Sequence, residues 1–459
     1  MVQYGISGFS AAAVLPRFAC FCFLGLMSAC APAPMDDLQH LRPAEEVPAD
    51  DLTRIRQPVK DVDAMALKGL ATQSRIASAA HEVGAAMATA RAQAGKYYPQ
   101  VSAGLSSGIS TDGDDAPTFE LVGSQRLFDF GQLDRSVAQT VLSAEQSHLA
   151  FLTEVDDLLV EIATAYVETE EYRQQVDITG AQLARMQEIE ALISRRNDEG
   201  VASSPDVLDA RKQVQSAEAL HLNAQIQFAR AQRTLATLAG PSALSVKGPL
   251  PRMGSACRAA GGKAEATADV RLATLTLAAA ELTLESAQKS ALPSVALEAS
   301  AKQDLTEIGD SEPVLGLTLD ISTNFFQGGT RKAQVAAAES ARQAAQAALA
   351  AIRQEVTLDY SGAVDEARNL QILDGALSRQ VNYLDEMREL YRRQFLDLGS
   401  RSLRELLDIE EEFFQIRLDM IGNRADIEVA RLGCLRAAGE VRSHFGLEGK
   451  TLYGLALTQ

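Results

Sequence analysis

QKSALPSVALEASA, residues 288–301, decides how this chain folds, because the sequence also contains its counterpart, AGKYYPQVSAGLSS, residues 94–107. In both, a Pro (Pro293, Pro99) closes a helical stretch, since Pro offers no N–H and crowds the preceding turn. Small polar and apolar residues then alternate. Two more pairs of blocks follow in the same order. FELVGSQRLFDFGQ from Phe119 matches VLGLTLDISTNFFQGG from Val314. RRNDEGVASSPDVLDARKQ from Arg195 matches RRQFLDLGSRSLRELLDIEEE from Arg392. Three matched blocks in one order, roughly 200 residues apart, mark a duplicated chain. Each half reads helix, strand, strand, long helix, turn, long helix.

Period two is the clearest local signal. Val295, Leu297, Ala299 and Ala301 alternate with Ser294, Ala296, Glu298 and Ser300, and Leu315, Leu317, Leu319 and Ile321 alternate with Gly316, Thr318, Asp320 and Ser322. In the first half Val101, Ala103, Leu105 and Ile109 repeat the pattern, whereas residues 119–130 alternate poorly. One apolar and one polar face over about ten residues suits a tilted membrane-barrel strand, with lipid outside and water within. A soluble sandwich gives the same alternation. Residues 108–117 and 304–313, rich in Gly, Asp and Pro, read as loops between paired strands.

The helices are long. Residues 131–199 contain no Pro, and Leu152, Val155, Leu159, Ile162 and Tyr166 fall at three-four spacing. Leu370, Leu373, Leu377, Val381, Leu384, Met387 and Tyr391 do the same within 328–398. At ~1.5 Å per residue each stretch extends roughly 100 Å, which requires coiled-coil-like neighbours along its course. Gly200 and Gly399 supply helix-ending turns. Ser204 with Pro205 fits a cap and first-turn Pro, and Ser402 with Glu405 fits a capping box.

The first residues are different. Arg17 precedes an apolar run over 18–29 that ends in small residues, the layout of a cleaved secretory signal over residues 1–29. The run is too short to span a bilayer as a helix. Leu26-Met27-Ser28-Ala29-Cys30 resembles a lipobox, which would make Cys30 a lipidated N-terminus; an ordinary signal with an incidental Cys is the alternative. Two Cys remain in the body, Cys257 and Cys434; in an oxidising compartment they can pair, or they are two small buried thiols. The order expected is therefore signal 1–29, extended leader 30–60, first repeat 61–240, irregular Pro- and Gly-rich crossover 241–266, second repeat 267–446 and tail 447–459. No apolar stretch of the mature chain approaches 18 residues, so any membrane entry uses strands.

Composition narrows the function. Among 459 residues, aromatic content is 5%, Trp is absent and the formal net charge is −18. Few aromatics suit helices packed on small apolar stripes. Strong acidity excludes nucleic acid, whose phosphates need a basic surface. The five His (His40, His81, His148, His221, His444) are scattered and form no metal motif, and Gly328-Gly329-Thr330-Arg331-Lys332 lacks P-loop spacing. No enzyme and no cofactor is expected. Four strands cannot close a membrane barrel alone, and an open edge in lipid leaves backbone groups unpaired at several kcal/mol each. Identical copies must complete the sheet, and a cyclic assembly does so by symmetry.

With the duplicated units, the YYP and LP strand starts, and the GVASSPDVLDAR and LGSRSLRELLD turns, residues 61–446 resemble the TolC family of outer-membrane efflux and secretion proteins. The resemblance implies a mainly α fold: a long α-helical barrel plus four strands per protomer, completed in a homotrimer as a small twelve-stranded membrane β-barrel. It implies a bacterial outer-membrane location with a periplasmic extension, a periplasmic adaptor protein, and an inner-membrane ABC transporter or proton-driven pump; the lipobox-like residues 26–30 add the expectation of a lipid anchor at Cys30. It places a gate at residues 399–408. Arg401 matches the family's gate-locking Arg and Asp206 its acidic partner on the first hairpin. Glu405 and Asp408 match inward acids that three copies would stack into rings suited to a divalent cation. Like charges held close raise each other's pKa. Packing of Leu403, Leu406 and Leu407 is expected to hold most of the gate shut. Locally, Glu405 also reads as the capping-box partner and Asp206 as a first-turn acid favoured by the helix dipole. Residues 391–412 look most like members serving type I protein secretion, whereas a lipidated Cys is commoner among drug-efflux members. A soluble structural coiled coil is the remaining alternative; it explains the helices but neither the signal nor the strands.

Overall fold

A computed structural model of the chain describes residues 51–53, 61–107, 117–248, 250, 257, 267–305 and 313–458. The signal segment with Cys30, nearly all of the leader, most of both strand-connecting loops and most of the crossover lie outside the described residues. The first half runs α1 (Val62–Thr72), α2 (Ser74–Ala94), β1 (Gln100–Ser106), β2 (Thr118–Phe128), α3 (Gln132–Asp198) and α4 (Ser204–Ala239). The second runs α5 (Ala268–Lys289), β3 (Ser294–Asp304), β4 (Val314–Ser322), α6 (Thr330–Arg393) and α7 (Leu403–Ala438). A short helix α8 (Val441–His444) and a two-residue hairpin, β5 (Thr451–Leu452) and β6 (Leu455–Ala456), follow. The fold is mainly helical with a small four-stranded antiparallel sheet and the short C-terminal hairpin.

Two compact units emerge. The first comprises residues 89–138 and 285–334 and contains the sheet, ordered β1-β2-β3-β4 with every pairing antiparallel. Register brings the apolar positions of all four strands to one face. Leu105 sits opposite Phe119, Leu121 between Ala103 and Ala301, and Leu297 opposite Leu319. Leu315 (74%), Leu317 (73%) and Ile321 (65%) are largely exposed on that face. The other face carries Ser102, Glu120, Lys302, Glu298, Thr318 and Asp320, with Glu120 opposite Lys302 and Glu298 opposite Thr318. Among the described residues, no strand pairs with the outer edges of β1 and β4.

The alternation is weak after Phe119 because Val122 falls on the charged face, opposite Ser300, and Gln125 on the apolar one, opposite Leu297; the strand also carries a bulge at its end. β2 keeps register to Arg126, then skips one residue so that Phe128 faces Val295. A bulge of this kind bends a strand and re-aims its end. Phe128 meets Phe130 edge-on at 4.6 Å, and Phe130 and Gly131 take positive φ. Asp129 then caps α3, accepting from the backbone N–H of Gln132 (3.1 Å) and Leu133 (2.9 Å).

The second unit is helical and comprises the described parts of residues 40–88, 139–284 and 335–459. Met65, Leu70, Ile76 and Met87 from α1 and α2, and Phe151, Leu152, Leu158, Leu159 and Ile162 from α3, are fully buried. Packing is tight at Gly69, where a Cβ would run into Ile162 Cδ1 and crowd the Leu238 carbonyl. The C-terminal residues are docked rather than loose. Leu447, Leu452, Leu455 and Leu457 are buried, and Arg442 bonds Asp156 (2.9 Å) and the Leu457 carbonyl (2.9 Å). Asp51, from the leader, accepts from the Gly454 N–H at 2.6 Å.

Cys257 of the crossover and Cys434 of α7 form a disulfide, with Cα atoms 5.3 Å apart at a sequence separation of 177. Native disulfides that close long loops typically contribute about 2–5 kcal/mol. Cys434→Ser is expected to lower stability by about that amount. Wild type should melt correspondingly lower with reductant than without; identical melting of wild type and variant without reductant would deny the bond a stabilising role.

Candidate gate at the hairpin turns

Each long helical hairpin turns on a glycine with positive φ, Gly200 (74°) between α3 and α4 and Gly399 (57°) between α6 and α7. Both turns restart the chain with a capping box, in which side chain and backbone exchange bonds across three residues. Ser203 N–H donates to Asp206 (2.9 Å) and Asp206 N–H to Ser203 Oγ (3.3 Å). Ser402 and Glu405 repeat this at 2.9 and 3.3 Å. The duplication therefore extends to hydrogen bonds. One difference marks the second turn: before Gly399 the helix widens into five π-helical residues, Gln394–Leu398.

Arg401 fastens that widened turn. Its guanidinium pairs with Glu405, donates to Gln394 Oε1 (3.1 Å) and lies over the Tyr391 ring, 4.3 Å from the centroid. Asp206 is occupied by Ser203. Within one chain, then, Arg401 and Asp206 do not pair, because each finds a nearer partner in its own turn. Glu405 is a capping-box acid and an Arg401 partner at once. The Ser402 backbone N–H, with Arg401 beside it, holds the Glu405 carboxyl down to about 2, and the Ser203 hydroxyl lowers Asp206. Within the chain the capping bonds thus set Glu405 low, opposite in direction to the effect of crowded acids. Asp408 is exposed.

Since Glu405 is lowered in the folded chain, its contribution is complete above its ordinary value near 4.5 and is lost as pH falls towards 2. The turn is therefore expected to be insensitive to pH between about 5 and 8, measured as channel conductance against pH. A titration in that window that survives in Glu405→Gln would have to come from other groups.

Leu403, Leu406 and Leu407 are buried. Leu403 and Leu407 share a cluster with Met186, Ile189 and Ile193 of α3 and Val207, Ala210 and Ala217 of α4, and half-buried Phe395 packs against it. Arg196 of the first hairpin lies 5.3 Å from the Phe395 ring centroid. Leu403 and Leu407 thus pack the second hairpin against the first within the chain.

The residue that sequence reasoning missed is Glu410, which is fully buried. Arg185 of α3 donates to its Oε1 from Nε (2.8 Å) and Nη2 (2.6 Å), and Arg388 of α6 brings Nε to 2.9 Å from Oε2. The run Glu410-Glu411-Glu412 reads as solvated acid. A signal was nonetheless present: Leu403, Leu407, Glu410 and Phe414 recur at four-three-four spacing, which puts Glu410 on the core face.

The family model described as outer membrane efflux protein matches the chain twice, over residues 68–241 and 264–440. The chain belongs to the outer membrane efflux protein family. Relatives include Nodulation protein T of Rhizobium leguminosarum bv. viciae, 25% identical over 437 residues (88% of this chain, 87% of that one). Protein CyaE of Bordetella pertussis (strain Tohama I) is 24% identical over 392 residues, 80% of each chain. Solved structures with this fold include CusC (TM-score 0.73, 20% identity, 86% of this chain and 97% of that one). VceC from Vibrio cholerae is also similar (TM-score 0.71, 19% identity, 82% and 96%). The family is one of outer membrane efflux proteins and CusC forms a transmembrane channel; neither is an enzyme.

Proposed function

We propose that this efflux-family chain is the outer-membrane exit duct of a tripartite export system, closed as a homotrimer. The observation carrying this reading is the sheet: one exposed apolar face, one charged face and two open edges. Three copies joined edge to edge would give twelve strands around water, with no backbone group left unpaired in lipid. The helices carry matching surfaces. Exposed apolar residues recur at whole-heptad spacing, Leu208 and Leu222 on α4, and Leu358 with Ile372, Leu373 with Met387, and Tyr383 with Leu390 on α6. Such stripes suit helices of neighbouring copies. The periplasmic end is closed at the hairpin turns, where rings of Asp408 and Arg401–Glu405 pairs would line the aperture and could be bridged by a divalent cation.

The cargo reading is protein, delivered by an ABC transporter through a periplasmic adaptor, on the likeness of residues 391–412 to members serving type I secretion. Proton-driven small-molecule efflux is the second reading, favoured by the lipobox ending at Cys30. Deleting the gene distinguishes them: loss of a specific protein from the culture medium supports the first, and drug hypersensitivity with an unchanged secretome replaces it with the second. Lipidation itself is read by the mass of the mature N-terminus. The gate is tested in planar bilayers, where Arg401→Ala is expected to raise single-channel conductance by loosening the second turn. Unchanged conductance and opening would remove Arg401 from the gate.

A further inference from the structure

Glu410 sits seven residues into α7 from Leu403, about 10 Å along the helix axis. It is fully buried, yet it faces two guanidinium groups from two other helices. Arg185 belongs to the first hairpin, Arg388 to the second. The arms are unequal. Arg185 directs two N–H groups at one carboxylate oxygen, at 2.8 and 2.6 Å. Arg388 reaches ion-pair distance without hydrogen-bond alignment, and its guanidinium instead stacks 3.9 Å above the Phe413 ring, with Phe414 at 5.7 Å. Each Arg has an exposed second acid on its own helix, Glu188 for Arg185 and Asp385 for Arg388. The network thus crosses between the hairpins at one place, the Arg185–Glu410 bond.

We infer that the buried Arg185–Glu410 bond is the latch that positions the second hairpin against the first and sets the closed gate, with Arg388 keeping Glu410 compensated when the latch parts. This rests on the proposal that the hairpin turns form the gate. Three properties suit the pair to the role. Leucine side chains can slide past one another with small losses, whereas a two-pronged guanidinium–carboxylate contact is either made or broken. Separating the hairpins strips Glu410 of its aligned partner inside a buried site, a costly state for an ion. Arg388 moves with Glu410, being on the same hairpin, so the parted state retains one countercharge and can be reached without unfolding. Arg185 and Glu410 are positioning residues here; neither needs to touch cargo.

The test compares Arg185→Met with Arg388→Met in the full-length protein reconstituted in planar bilayers, with oligomeric state checked on unheated gels and helicity by circular dichroism. Arg185→Met removes the cross-hairpin bond and leaves the Arg388–Glu410 pair. It is expected to raise the fraction of time spent in open levels about tenfold, the size expected for loss of ~1.4 kcal/mol from the closed state. Arg388→Met leaves the cross-hairpin bond but takes the countercharge from the parted state, so it is expected to leave open occupancy at or below the wild-type level. Arg185→Lys, which keeps the charge and loses the fork, should fall between, and it carries the measurement if Arg185→Met does not assemble. Assembled Arg185→Met channels that stay as closed as wild type overturn the latch. Equal opening by both Met variants also overturns it, because packing around Glu410 would then be the cause. Leu407→Ala serves as the reference for the gate reading: if it opens the channel and the Arg185 variants do not, only the latch fails. If neither changes occupancy, the gate at the turns fails with it.

Discussion

Arginine placed at Leu317 should stop the protein from assembling in the outer membrane, while arginine at the adjacent Thr318 should be tolerated. Leu317 lies opposite Ala299 on the apolar face of the sheet and is exposed in the single chain, and Thr318 lies opposite Glu298 on the charged face. A lipid-facing Arg near the bilayer midplane costs about 2–4 kcal/mol, and the proposed ring of three copies would meet that cost three times. A lumen-facing Arg meets water and the Glu298 carboxylate. Membrane fractionation with heat-modified gel mobility reads both variants. Equal assembly of the two would mean that the apolar face does not meet lipid, and the barrel reading would fall.

The second large effect is expected from Leu407→Ala. Leu407 is buried where α7 meets α3 and α4, among Ile189, Ile193 and Val207. Truncating such a leucine costs about 2–5 kcal/mol, the higher values where the surroundings cannot collapse into the space. Long helices fixed on both sides collapse poorly, so the loss should be near the upper part of that range. It should appear as a lower melting temperature and as leakage in the closed state, read as conductance without adaptor or transporter. A variant with wild-type melting and wild-type closure would show that this cluster holds nothing shut.

Much of the fold is legible in the sequence because it is written in periodicity. Pro99 and Pro293 end helices where strands begin, and the alternation in residues 294–301 and 315–322 appears as the two faces of the sheet. Gly200 and Gly399 turn the hairpins with left-handed backbones. The failures are of another kind. The bulge between Arg126 and Phe128 shifts register by a single residue, and no local propensity announces it. Residues 447–459 lack any long pattern, yet Leu447, Leu452, Leu455 and Leu457 dock them, because distant contacts decide the fate of short apolar residues. At the candidate gate, charge identity was legible and partnership was not. Arg401 has acids at Glu405 and Asp206 to choose from, and the nearer one, held in place by its capping bonds, takes it. Glu410 shows the converse: its neighbours Glu411 and Glu412 disguised a core position that the leucine spacing had marked.

Because Cys257 is bonded to Cys434, one end of α7 is fastened to the segment joining the two duplicated halves. The remaining rod, from Leu403 to Cys434, is about 45 Å long. A pivot of only about 10° at the fastened end would carry the far end sideways by about 8 Å, more than the width of a leucine side chain. The aperture could therefore be widened by tilting one intact rod, with every helical hydrogen bond along it retained.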